Sequence, residues 1–245
     1  MIQGSSKKEI DVIYEDNHII VVNKSASDIV QGDKTGDETM PDKIKEFLKE
    51  KYDKPGNVFC GVVHRLDRPT SGAVVFAKTS KALSRLNEQF KDRATKKTYW
   101  AVVEQEPKEK AGVLVHYLKK NEKQNKSYPS ITETPGSKKA SLEYKLIAKS
   151  DKYFLLEIEL HTGRHHQIRV QLSTIGCIIK GDVKYGARRS NTDGSIHLHA
   201  RYLELFHPTT KELIKITAPV PNEPLWKWFG KNVMDHDSTD GFISK

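Results

Sequence analysis

Apolar and polar residues alternate with a period of two along most of the chain, and helical spacing is confined to four stretches. Val12-Ile13-Tyr14 and Ile19-Ile20-Val21-Val22 are β-prone runs about a polar Asp16-Asn17 turn, which predicts a hairpin. Val58 to Val63 and Gly72 to Ala77 are apolar runs of strand length on either side of a polar segment. Tyr99 to Val103 and Val113 to Leu118 predict two more strands. Ala140 to Ala148 and Tyr153 to Leu160 alternate cleanly and suggest a hairpin around Lys149–Lys152. Ser195 to Phe206 is a further strand, and Leu213 to Thr217 pairs back on it after the turn His207–Glu212. Lys119 to Pro135 is polar without periodicity and reads as an exposed loop.

The helical stretches carry their own start and stop signals. Thr39 precedes Pro41, and Ile44, Phe47, Leu48 and Tyr52 fall on one face before Pro55-Gly56-Asn57. Ser80 is a candidate cap for a helix that buries Leu83, Leu86 and Phe90. Thr162 is a candidate cap for one with Ile168, Leu172 and Ile175 aligned, which Gly176 can close. Pro224 opens a last helix with Trp226 and Phe229.

Strand runs outnumber helices, so the expected class is α/β (α+β), built on hairpins. At 245 residues the chain is long enough for one large domain or two small ones, with an N-terminal tail expected at 1–10 and a loose polar tail at 235–245. No apolar run approaches the length of a membrane span, and Met1 to Lys8 lacks the apolar core of a signal peptide. The two cysteines, Cys60 and Cys177, lie in apolar contexts, which rules out a disulfide framework and makes a cytoplasmic location the simple expectation.

The formal charge of +9 is localised. Lys91–Thr98, Lys119–Lys126 and Lys180–Arg189 each hold four cations against one anion, and together they account for the whole excess. A polyanion is the partner this implies, and nucleic acid is the commonest one.

One segment concentrates candidate chemistry: His64-Arg65-Leu66-Asp67-Arg68-Pro69-Thr70-Ser71-Gly72. Cations beside a carboxylate favour its ionised form, so Asp67 is expected as a carboxylate, suited to a nucleophile or electrostatic partner rather than a proton donor. Gly72 permits a turn that a larger residue would strain. A structural turn in which Asp67 pairs with Arg65 or Arg68 would use the same residues.

This segment resembles the catalytic motif of the RluA-type pseudouridine synthases, usually HRLDRDTSG, with Pro69 as the departure. Tyr99, after lysines at the mouth of a strand, resembles the family's second motif. Thr162-Gly163-Arg164-His165-His166-Gln167-Ile168-Arg169-Val170-Gln171-Leu172 is similar to its third, close to TGRTHQIRVHL. Gly181-Asp182 with Tyr185-Gly186 is also similar, while Asn23-Lys24 keeps only half of an Asn-Lys-Pro pattern. The resemblance covers roughly Val12 to Pro219.

The resemblance implies one α/β catalytic domain at 11–234, built on a mostly antiparallel mixed sheet flanked by helices and loops. It implies isomerisation of uridine to pseudouridine in ribosomal or transfer RNA, on a base flipped out of its stack. Asp67 would be the nucleophile, acting on the ribose C1′ or the uracil ring. Tyr99 would stack on the base, and Arg169 would pair with Asp67. Arg65 would fill the vacated stack, and His64, Lys97, Arg164 and Leu198 would contribute to substrate binding. The S4 domain of some relatives is not expected, since few residues precede the first hairpin. The chain is expected to act as a monomer without cofactor; the reaction is redox-neutral, and no P-loop or dinucleotide fingerprint is present.

Five histidines, His161, His165, His166, His197 and His199, raise the question of a metal. Adjacent His165 and His166 would diverge on a helix, and no i, i+4 pair with a glutamate base occurs, so no metal is expected. Two other functions fit the residues: an RNA-binding module with a dead site, and a carboxylate-dependent N-glycosidase that would release uracil.

Overall fold

The computed structural model describes residues 10–32 and 36–233; the expected tails at 1–10 (but for its last residue) and 235–245 lie outside the described residues. β1 (Val12–Glu15) and β2 (Ile19–Lys24) form the first hairpin. Its turn is set by Asp16, whose Oδ1 accepts the N–H groups of His18 at 2.6 Å and Ile19 at 2.9 Å. Helix α1 (Met40–Lys51) starts at a capping box: Thr39 and Asp42 satisfy each other's backbone N–H groups. Next come β3 (Gly61–Val62), β4 (Ser71–Ala77), α2 (Ser80–Lys91) and β5 (Lys96–Val103). The cap of α2 is Thr79, one residue before the expected Ser80; its side chain accepts the N–H of Ala82.

β6 (Ala111–Asn121), β7 (Lys126–Ser130), β8 (Lys138–Lys149) and β9 (Phe154–Leu160) follow as antiparallel ribbons. The expected loop at Lys119–Pro135 is therefore corrected: β6 runs on to Asn121 and pairs with β7. These strands are half-solvated, so their period is masked by lysines on the exposed face. Helix α3 (Gln167–Thr174), β10 (Leu198–Phe206), β11 (Leu213–Thr217) and α4 (Pro224–Asn232) complete the described chain. The strand expected at Val58–Val63 shrinks to two residues, and the one expected from Ser195 starts at Leu198.

The sheet runs in the order β1-β2-β4-β10-β5-β9-β8-β6-β7, with β3 on β4 and β11 on β10. Every pairing is antiparallel except β4 with β10. Alternate residues of a strand face opposite sides. Ile20, Val22, Val74 and Phe76 pack with Ile44 and Leu48 of α1 and Ile168 and Leu172 of α3. Ile19, Val21, Ala73 and Val75 face the other way, with Leu86 of α2. Both faces of the central sheet are covered, and all seven residues of β4 are buried.

Gly72 lies within β4 rather than in a turn. Its φ is +118°, and a Cβ there would come 2.5 Å from the backbone nitrogen of Ala200 on β10. Only glycine lets the two parallel strands approach at this point.

Candidate active site

Asp67 sits in the loop between β3 and β4, in a tight turn closed by the Thr70 N–H on the Asp67 carbonyl at 3.0 Å. Lys24 holds this turn from beneath. It is 1 % exposed, and its ammonium donates to the carbonyls of Ser25, Arg68 and Thr70 at 2.9, 3.2 and 2.7 Å. Three hydrogens meet three acceptors, so the cation is fully satisfied without a carboxylate. Burial pulls its pKa down to about 8, against the raising effect of Asp28 and Asp67.

The cation in contact with Asp67 is Arg169, whose Nη1 lies 3.1 Å from Oδ2. The motif's own arginines point elsewhere: Arg65 donates to Gln31 and Arg68 to Asp37, each at 2.6 Å. Arg169 reaches the site because α3 directs Ile168 and Leu172 into the core and leaves Arg169 on another face. The arginine is itself held. Its Nε and Nη2 make a fork on Asp182 at 2.7 and 2.8 Å, and its guanidinium lies 5.2 Å from the Tyr185 ring centroid. Asp182 is 1 % exposed. Burial penalises the Arg169 cation, but Asp182, and then Asp67, outweigh that and raise its pKa.

Thr162 does not cap α3. The capping position belongs to His166, in the left-handed region at φ 54°, with no side-chain cap. Histidine tolerates that region better than bulkier residues. The bend stacks His165 on His166 with centroids 3.7 Å apart, and brings His166 Nε2 to 3.6 Å from Asp67. Burial and then Arg169 push the His166 pKa down to about 2, so it is neutral and this contact is not an ion pair. Thr162 instead hydrogen-bonds Gln167 Oε1 at 2.7 Å, bracing the loop before the helix. The β6–β7 hairpin is tied in by Ser127, which hydrogen-bonds His165 and donates its backbone N–H to the Tyr185 hydroxyl oxygen at 2.9 Å.

These groups line a cleft of about 810 Å³, whose inner end is a hollow of about 120 Å³ bounded by Asp67, Tyr99, His166, Arg169 and Leu198. Asp67 is 28 % exposed at this mouth. Tyr99 is buried, and its hydroxyl has no hydrogen-bond partner among the described residues. Burial, and then the Asp67 charge, push its pKa up. Arg65, Lys97 and Arg164 line the outer cleft. Lys97 stands over the Phe90 ring at 5.6 Å, and Arg164 Nε donates to the Lys139 carbonyl at 3.1 Å. His64 also lines it, but stacks on Phe90 and accepts the Val75 N–H at 3.1 Å. Burial, with Lys97 adding to it, lowers its pKa to about 3, which fixes it as a neutral acceptor that braces β4.

All eight residues singled out in the sequence thus line one cleft. Lys24, Asp182, Tyr185 and Ser127 were not singled out. Asp182 and Tyr185 had a signal in the Gly-Asp and Tyr-Gly pairs that resemble the family, and Lys24 in the half-kept Asn-Lys-Pro pattern, but no role was drawn from either; Ser127 had none. Among the described residues, no group of three or more His, Cys, Asp or Glu side chains is arranged to hold a metal, and no helix is long and apolar enough to cross a membrane.

The fold matches solved pseudouridylate synthase domains. Human RNA pseudouridylate synthase domain containing 4 superposes with a TM-score of 0.73 at 24 % identity, over 86 % of this chain and 89 % of that one. The family model of RNA pseudouridylate synthases matches residues 18–174. The chain belongs to that family, whose members are isomerases. Among curated relatives, the RNA pseudouridine synthase YhcT of Bacillus subtilis is 34 % identical over 218 residues, 87 % of this chain and 69 % of the relative. Ribosomal large subunit pseudouridine synthase C of Vibrio vulnificus is 32 % identical over 215 residues, 85 % of this chain and 65 % of the relative.

Proposed function

We propose that this chain converts uridine to pseudouridine in structured ribosomal or transfer RNA, with Asp67 as nucleophile on a flipped-out base. The observation that carries the reading is the placement of Asp67, held by Arg169, at the mouth of a hollow of about 120 Å³ walled by Tyr99 and Leu198. That space suits one flat heterocycle and requires the base to leave its stack. Asp67 bonds to the ribose C1′ or to the uracil ring as the N1–C1′ bond breaks; uracil turns within the hollow, C5 bonds to C1′, the bond to Asp67 breaks and returns the carboxylate, and C5 loses its proton while N1 gains one. A detached base must not escape, and the narrow inner end retains it. Tyr99 stacks on the base and can assist the proton transfer. Arg65, on the outer cleft, occupies the vacated stack, while Lys97 and Arg164 meet phosphates. His64 contributes by bracing the strand beside them. The reading is of a monomer, and the free cysteines agree with a cytoplasmic location.

Ribosomal RNA is favoured by the likeness to the ribosomal large subunit pseudouridine synthase C of Vibrio vulnificus. The test is chemical mapping of pseudouridine in total RNA from cells with and without the gene, followed by treatment of the unmodified RNA with the purified protein. The wild type restores specific sites. Asp67→Asn restores none while its RNA affinity stays within a few-fold. Activity of that variant within about tenfold of wild type overturns the nucleophile. Release of free uracil would make the chain an N-glycosidase instead.

A further inference from the structure

The third basic segment of the sequence, Lys180–Arg189, divides between two places. Lys184 lines the catalytic cleft. Lys180, Arg188 and Arg189 line a separate cavity of about 560 Å³, with Lys152 and Tyr153 from the β8–β9 turn and Glu104 from the end of β5. Tyr99 and Glu104 are five residues apart on the same extended run, so this cavity is displaced by ~16 Å from the base-binding hollow.

Its arginines differ from most on this protein. Arg65, Arg68 and Arg169 donate to side-chain oxygens. Arg85, Arg164 and Arg201 donate to backbone carbonyls. Among the described residues, Arg188, Arg189 and Lys152 have no hydrogen bond or ion pair, and all three are exposed. Arg93, the other arginine in that condition, lines the catalytic cleft. The only carboxylate lining the second cavity is Glu104. Lys180 is oriented by Asn191 at 2.7 Å and lies 5.9 Å from the Tyr153 ring centroid, so one wall is fixed before anything binds. Planar guanidinium groups left without internal partners match phosphate oxygens bidentately.

We propose that this cavity is a second RNA contact, taking the phosphate backbone of nucleotides that flank the target. It rests on the RNA-modifying reading above and deepens it. The displacement of ~16 Å corresponds to roughly five nucleotides of one duplex strand. The substrate footprint therefore extends beyond the loop that carries the uridine, and a minimal hairpin does not fill it.

The test compares wild type with Arg188→Ala/Arg189→Ala/Lys152→Ala on two mixed-sequence RNA oligonucleotides, about 4 and about 40 nucleotides long, by fluorescence anisotropy across a salt series. The long RNA is expected to bind on the order of tenfold more weakly at low salt, with a log–log salt slope flatter by ~0.7–0.9 per lost contact. The short RNA, which the catalytic cleft can hold alone, is expected to change less than about twofold. Arg188→Lys/Arg189→Lys should retain most of the long-RNA affinity. Equal losses on both lengths, or an unchanged slope on the long one, overturn the second contact. Circular dichroism of the variant checks that it is folded. Absence of pseudouridine formation by the wild type would sink the catalytic reading while leaving this binding result standing, so the two failures are distinguishable.

Discussion

Arg169 gives its fork to Asp182 and only its remaining nitrogen to Asp67. The arginine's position is thus set by a buried carboxylate that lies behind it, away from the cleft mouth. Asp67 can exchange its contact for substrate while Arg169 stays in place. Asp182→Ala leaves a buried cation half-compensated, and breaking such a pair costs ~3–5 kcal/mol. Urea denaturation should show that loss. Asp182→Asn, which keeps the shape, should fold, bind RNA within a few-fold and lose at least about tenfold in single-turnover rate. A normal rate in that variant would mean that Asp67 alone positions the arginine.

Tyr99→Phe keeps the ring at the wall of the hollow and removes a hydroxyl that has no hydrogen-bond partner among the described residues. RNA binding should stay near normal while a late step of turnover is blocked. Tyr99→Ala should also weaken binding, since stacking of a base on an aromatic is worth ~1–3 kcal/mol. Quench-flow with labelled RNA separates the two; identical behaviour would remove the stacking role.

Gly72→Ala places a methyl group against the Ala200 backbone at a φ of +118°. Strain of this kind costs ~1–3 kcal/mol, and the clash adds to it. A fall in the urea midpoint, with loss of activity because Thr70 and Asp67 lie two and five residues earlier in the chain, is the expected pair of results. A variant of wild-type stability would show that β4 and β10 can separate at little cost.

His199 is buried, donates Nε2–H to the Ala218 carbonyl and accepts the Ser71 hydroxyl on Nδ1 at 2.9 Å. Burial pushes its pKa down to about 4 from the ordinary 6.5. The unfolded chain therefore takes up the proton first, and stability falls as the pH drops from about 6.5 toward 4, with a limiting slope of ~1.4 kcal/mol per pH unit from this group. His166, with its pKa near 2, adds to the same limb. His199→Gln should flatten the acid side of the stability profile measured by denaturant titration from pH 7 to 4.5. An unchanged profile would place the acid sensitivity in other groups.

The central strands and the faces of α1, α2 and α3 were legible because burial on one or both sides imposes a period the sequence cannot hide. Thr39 was legible as a cap because its partner Asp42 is three residues away. What was hidden depends on distance along the chain. The Asp182 fork joins residues 13 apart through a turn that looks generic, and Lys24 grips carbonyls 44 and 46 residues away. The flanking cations of the Asp67 segment offered one set of partners, yet the backbone turn sends Arg65 and Arg68 outward, and the contact falls to Arg169, the partner that only the family resemblance implied. The β6–β7 hairpin was lost to its own lysines. His166 could not be foreseen as the start of α3, because nothing local signals a histidine in the left-handed region.

The parallel pair between β4 and β10 bears on how the chain comes to be active at all. Ser71 and His199, side by side across it, are 128 positions apart. β10 lies between β4 and β5, so until it inserts, the hairpins on either side are two unconnected half-sheets. Local hairpins close in microseconds, whereas a contact of this separation carries the full entropy of a long loop and forms slowly. Leu198, at the start of β10, is also part of the wall of the hollow. Refolding should therefore regain most of its far-ultraviolet signal well before it regains activity, and a nascent chain should remain inert until its last third has left the ribosome.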